Sequence, residues 1–90
     1  MEKEIRIRIR KEELLRDLYN MGYKIDYADM NRIFARKNRL HLFVILRRNS
    51  TYFNLHEDVG YPHKAIYNSR KVKREMEEIL KRYEIYVQVS

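Results

Sequence analysis

Between Arg32 and Asp58 an apolar residue recurs at every second position through Ile33–Ala35, Leu40–Leu46 and Phe53–Leu55, and on each side lies a segment whose apolar residues recur at helical spacing. A period of two buries one side of a strand, whereas spacings of three and four bury one stripe of a helix. Ninety residues make one domain, so both helical stripes have a single sheet to cover. The expectation is an α+β fold: a two-layer sandwich over residues 1–90, with a mainly antiparallel sheet of about five strands and two helices on one face.

The alternation divides into strands at Ile33–Lys37, Leu40–Arg47 and Thr51–Asp58, separated by the short polar pairs Asn38-Arg39 and Asn49-Ser50. Before them, Leu14, Leu15, Leu18 and Met21 mark a helix over Lys11–Met21, with Gly22 placed to end it. After them, Ser69 is placed to cap a helix running to Tyr83, with Val72, Met76, Ile79, Leu80 and Tyr83 on its apolar side. Outer strands are expected at Glu4–Arg10, from Ile5, Ile7 and Ile9, and at Glu84–Ser90, from Ile85, Val87 and Val89. Tyr23–Asn31 has no clear period, and Val59–Asn68, with Gly60 and Pro62, reads as a loop.

Hairpin parity assigns the faces. A two-residue turn at Asn49-Ser50 sets Arg48 against Thr51, Leu46 against Phe53 and Val44 against Leu55. Leu40, Leu42, Val44, Leu46, Phe53, Leu55, Ile33 and Ala35 then form the covered face. The free face carries Phe34, Arg36, His41, Phe43, Ile45, Arg47, Tyr52, Asn54, His56 and Asp58, joined by Arg6, Arg8, Arg10 and Tyr86 if the outer strands obey the same rule.

Charge is distributed unevenly. Residues 1–31 are balanced, whereas residues 32–74 hold eleven basic side chains against Glu57 and Asp58. Such a concentration attracts polyanions, and rings beside basic groups on a sheet can stack unpaired bases. A nucleic acid, RNA or DNA, is therefore the expected partner. Its expected contacts are Phe34, Arg36, Phe43, Arg47 and Tyr52 on the free face, with Lys64, Arg70, Lys71, Lys73 and Arg74 at the entrance of the second helix. The plainer alternative is that strand arginines and tyrosines maintain solubility and block edge pairing, and that the helix cations pair with Glu75, Glu77 and Glu78.

His41, His56 and His63 are the groups able to change charge near neutral pH. In the expected register His41 lies opposite Asp58, and His56 sits diagonal to His41. Two imidazoles flanking one phosphodiester, with Asp58 orienting His41, suit a metal-independent ribonuclease that uses the RNA 2′-hydroxyl. Arg36, Arg47 or Lys64 would then stabilise the developing phosphate charge. Packed surface histidines are the plainer reading. His56, Asp58 and His63 match no recognised metal-ligand spacing, so neither a metal nor a cofactor is expected.

The order helix, three strands, helix over Lys11–Tyr83, with His41 in Asn38-Arg39-Leu40-His41, is similar to HicA-type toxin ribonucleases, whose layout resembles a double-stranded-RNA-binding domain. That resemblance implies a catalytic role for His41. The Gly-Ser pair that the family places before its histidine is absent here.

Several classes are disfavoured. There is no cysteine for a disulfide or thiolate site, no glycine-rich phosphate loop and no nucleophile elbow. The longest apolar run, Leu42–Leu46, is far short of the ~20 residues of a membrane span. The charged start Met1-Glu2-Lys3-Glu4 leads into no signal-peptide core, so a cytoplasmic location is expected. A third possibility is an inhibitor or adaptor of the kind found in mobile elements. Its terminal strand Glu84–Ser90 would pair with a protein partner or with a second copy as a homodimer.

Overall fold

The computed structural model describes residues 1–60 and 64–83. Its elements are β1 (Glu2–Ile5), α1 (Lys11–Asn20), β2 (Lys24–Ala28), β3 (Arg32–Lys37), β4 (Leu40–Leu46), β5 (Thr51–Asp58), β6 (Ala65–Ile66) and α2 (Arg70–Lys81). The strands form one antiparallel sheet in the order β1-β5-β4-β3-β2, with the two-residue β6 also paired to β5. The expected α+β sandwich is the observed architecture, and neither helix is long and apolar enough to cross a membrane.

The covered face is the one that alternation assigns. Ile33, Ala35, Leu40, Leu42, Val44, Leu46, Phe53 and Leu55 are all buried, with Leu14 and Leu18 of α1 and Val72, Met76 and Ile79 of α2. Burying each large aliphatic side chain contributes roughly 1.5–3 kcal/mol, which makes this shared layer the main source of stability.

Helix α1 ends and helix α2 begins as their sequences require. Gly22, at φ +93°, closes α1 in a Schellman arrangement: Tyr23 N donates to Leu18 O at 2.9 Å and Gly22 N to Tyr19 O at 3.0 Å. Ser69 Oγ accepts from Val72 N at 3.1 Å, capping α2, and donates to Glu57 Oε1 at 3.1 Å. Helix α2 stops at Lys81, two residues before the expected end, yet Tyr83 remains buried and donates to Asp17 Oδ2 at 2.9 Å.

Three expectations about the strands are corrected. The first strand does not run to Arg10, because its ladder with β5 ends at Ile5 opposite Thr51, the first residue of β5. Beyond that point a side chain replaces the missing backbone partner. The fully buried Thr51 donates to Ile7 O at 2.8 Å and accepts from Ile9 N at 2.9 Å. The free-face positions of β1 are consequently Glu2 and Glu4 rather than Arg6, Arg8 and Arg10. Arg8 instead donates to Leu46 O and Met30 O, each at 3.1 Å.

The β4–β5 connection is a four-residue loop, not a two-residue turn. Leu46 pairs with Thr51, Val44 with Phe53 and Leu42 with Leu55, while Arg47 N donates to Ser50 O at 2.9 Å. This slip of the register keeps every residue on its face but brings His41 directly opposite His56. Finally, Val59–Asn68 is not wholly loop, since β6 sets Ile66 against Glu57 and Ala65 against Asp58. The expected strand Glu84–Ser90, with Tyr86 and its partner edge, and His63 lie outside the described residues.

Candidate functional site

On the helix-free face the register arranges side chains in rows that cross the strands. One row is Lys24, Arg36, His41 and His56 on β2 to β5. The next is Tyr27, Phe34, Phe43, Asn54 and Glu2, and the third is Arg32, Ile45, Tyr52 and Glu4. Aromatic and basic side chains therefore lie in adjacent lines.

A bulge in β2 completes the second row. Ile25 pairs with Ala35 and Tyr27 with Phe34, leaving Asp26 as the extra residue. Without it Tyr27 would share the inward side with Ile25. With it, Tyr27 packs against Phe34 at 5.7 Å between ring centroids, and Phe34 stacks on Phe43 at 4.6 Å with planes 8° apart. Phe34 is 40% exposed, a large apolar ring presented to solvent.

The histidines form a second stack. The His41 and His56 rings are nearly parallel, 5.1 Å apart, and Tyr67 leans on His56 at 5.4 Å. Burial first, and then the His41 charge, lower the His56 pKa from its ordinary value, while Asp58 acts in the opposite sense. Between the phenylalanine and imidazole rows runs a shallow groove of about 280 Å³, from Asp26 at one end to Tyr67 at the other. Ala35 and Leu42, whose side chains turn to the core, lie at its floor.

The electrostatics differ from what the distribution along the chain implies. Arg36 Nε lies 3.3 Å from Asp26, and Arg47 donates to Glu4 at 2.7 Å while sitting over the Tyr52 ring. Tyr52 in turn donates to Glu2. Arg32 forks onto Asp29, whose carboxyl is held well below the usual range by hydrogen bonds from the Asn31 backbone and Tyr27, with further bonds from Arg32. Lys24, Arg32, Arg36 and Arg47 thus share the face with Glu2, Glu4, Asp26, Asp29 and Asp58. It is close to charge-balanced, because residues 1–31 supply the missing carboxylates.

The cationic excess is concentrated instead at the start of α2. Arg70, Lys71 and Arg74 line a depression with Glu75, Lys73 is exposed beside them, and no acidic residue occupies the first turn. Lys71 lies 3.8 Å from Glu57. Lys64 is exposed where the chain returns toward β5, its carbonyl accepting from Val59 N at 3.1 Å.

Of the expected free-face contacts, Phe34, Phe43, Arg36, His41 and His56 come together around the groove or on its border, whereas Tyr52 belongs to the third row and Arg47, in the β4–β5 loop, lies over its ring. Asp58 is not opposite His41. It pairs with Ala65, and its backbone N–H donates to Arg39 O at 2.8 Å. Among the described residues no three His, Asp or Glu side chains converge on a metal position. Lys24, Tyr27 and Tyr67 join the site without having been expected. Tyr27 and Lys24 were hidden by the bulge, and Tyr67 by the short β6 that turns it toward His56.

Compared with protein-family models, with curated proteins and with solved structures, the chain finds no match.

Proposed function

We propose that the chain binds unpaired nucleic acid across its helix-free sheet face, chiefly by stacking, with phosphates taken up by the basic start of α2. The observation that carries this reading is the exposed Phe34–Phe43 stack lying along a groove whose other side is the His41–His56 pair. Every base has a π-face, and base–aromatic stacking is worth about 1–3 kcal/mol per base. The groove ends at Tyr67, three residues before Arg70 in the chain, and in this reading the phosphates of a strand leaving that end are taken up by the helix cations. A duplex keeps its bases stacked internally and gains only the phosphate contacts.

The test is a titration of labelled single-stranded and duplex RNA and DNA at low and moderate salt. Single strands should bind more tightly, and Phe34→Ala should weaken them by roughly 1–3 kcal/mol while leaving duplex binding nearly unchanged. No binding of any of the four at low salt would overturn the reading.

The stacked imidazoles favour a second reading, cleavage of RNA through its 2′-hydroxyl. A lowered pKa favours the neutral form of His56, the state a general base needs, and His41 faces it as the second imidazole of the pair. Labelled RNA incubated with the wild type, His41→Ala and His56→Ala decides it. Cleavage by the wild type that disappears in both variants supports it, and cleavage that survives either change excludes the pair.

A further inference from the structure

The arginines that follow β1 stay together at one end of the sheet. Thr51, fully buried at the start of β5, holds the backbone on both sides of Arg8 through its hydrogen bonds with Ile7 O and Ile9 N. Arg6, Arg8 and Arg10 are exposed, and the β4–β5 loop brings an exposed Arg48 to the same end. The Arg8 guanidinium is fixed by the Leu46 and Met30 carbonyls at 3.1 Å each, neutral acceptors that leave its charge unbalanced. Arg32, Arg36 and Arg47 each have a carboxylate partner, whereas Arg6, Arg8, Arg10 and Arg48 have none among the described residues. Glu4 and Asp29 are engaged by Arg47 and Arg32, and Glu12 and Glu13 lie in the first turn of α1, at the positive end of its dipole. Folding thus separates the charges of the balanced segment 1–31, sending Glu2, Glu4 and Asp26 to the free face and three arginines to its end. Uncompensated like charges repel and work against the compact state, while a guanidinium fork matches phosphate oxygens.

We propose that this end of the sheet is a second phosphate-binding site, and that an unpaired strand runs along β5 from Arg6, Arg8, Arg10 and Arg48 to the cations of α2. The inference rests on the single-strand reading above and adds the direction and length of the bound strand. The start of α2 lies at the other end of β5, because Ser69 donates to Glu57 at 3.1 Å and Lys71 lies 3.8 Å from the same carboxylate. The six steps from Thr51 to Glu57 cover about 20 Å at the rise of a β-strand. At about 3.4 Å per phosphate, a stacked strand crosses that distance in about six nucleotides. On the way it passes Tyr52, Asn54 and His56, one from each row of the free face. Phosphates are held at the two ends and bases lie over the rings between, where the face is nearly charge-balanced.

The experiment follows labelled oligo(U) of about twelve nucleotides, twice that span, by anisotropy over a salt series. Arg6→Gln with Arg48→Gln should lower the slope of log K against log salt by about 1.4, or about 0.7 per lost phosphate contact. Adding Arg70→Gln and Arg74→Gln should bring the loss to about 2.8. Arg6→Lys with Arg48→Lys retains both charges and should retain the slope, which separates charge from any change in folding. Arg16→Gln with Lys81→Gln, both exposed on the helices, removes as much charge elsewhere and should leave the slope nearly unchanged. An unchanged slope in the Arg6 and Arg48 glutamine pair, or an equal fall in the lysine pair or in the Arg16 and Lys81 pair, overturns the second site while leaving strand binding intact. Losses that fail to add in the fourfold variant overturn the path along β5. Absence of binding by the wild type removes both readings.

Discussion

His41 and His56 face each other across β4 and β5 with their rings almost parallel and 5.1 Å apart. Two imidazolium ions at that distance repel, and partial burial adds to the cost of charging His56. The arrangement couples the site to pH whether or not it is catalytic.

The sign of that coupling follows from the direction of the shift. The folded pKa of His56 lies below the unfolded value of about 6.5, so between the two the unfolded chain binds more protons. The contribution to stability is whole above that pH and is lost as pH falls through the folded pKa. The melting temperature should therefore drop between pH 7.5 and pH 5 by more in the wild type than in His56→Phe. Equal drops in parallel thermal melts would show that the pair does not control acid sensitivity.

Thr51→Val tests the polar staple at the end of β1. Valine preserves the shape but leaves Ile7 O and Ile9 N without the partner that Thr51 supplies. With the residue fully buried, the expected loss is about 1–3 kcal/mol in urea unfolding. A change within a few tenths would mean that water replaces the hydroxyl.

Ser69→Ala removes both the cap of α2 and the hydrogen bond that ties the helix start to Glu57. About 1 kcal/mol is the expected cost. Ser69→Thr retains both the acceptor for Val72 N and the hydroxyl that donates to Glu57, so it should preserve most of the stability. Denaturation midpoints of the two variants separate the capping role from that of residue size.

How far these features can be read from the sequence depends on how local their causes are. The covered face follows from parity, and parity survives an error in turn length because the slip moves the register by a whole two-residue repeat. What parity cannot give is which residue stands opposite which, so the His41–His56 pairing emerges only from the four-residue loop Arg47–Ser50. Tyr27 is illegible for another reason: the bulge at Asp26 breaks the period on which strand recognition depends. The end of β1 is set from afar, by Thr51 in place of a backbone partner. Phe34 and Phe43 are legible because each lies between two residues of the period-two covered face, Ile33 and Ala35 for the first and Leu42 and Val44 for the second.

Charge along the chain is the least faithful guide, and it yields the sharpest remaining test. The middle segment looks uniformly positive, but folding brings Asp26 to Arg36 and Glu4 to Arg47, while the first turn of α2 gathers Arg70, Lys71 and Lys73 at the positive end of its own dipole. Cations in that position weaken the helix slightly, so Arg70→Glu should stabilise the fold by about 0.3–1 kcal/mol while weakening nucleic-acid binding. Arg70→Gln with Arg74→Gln should lower the slope of log K against log salt for single strands by about 1.4, or about 0.7 for each phosphate no longer neutralised. Arg36→Gln should change that slope much less, because Asp26 already balances its charge. A larger effect from Arg36 than from the helix pair would move the phosphate path back onto the sheet.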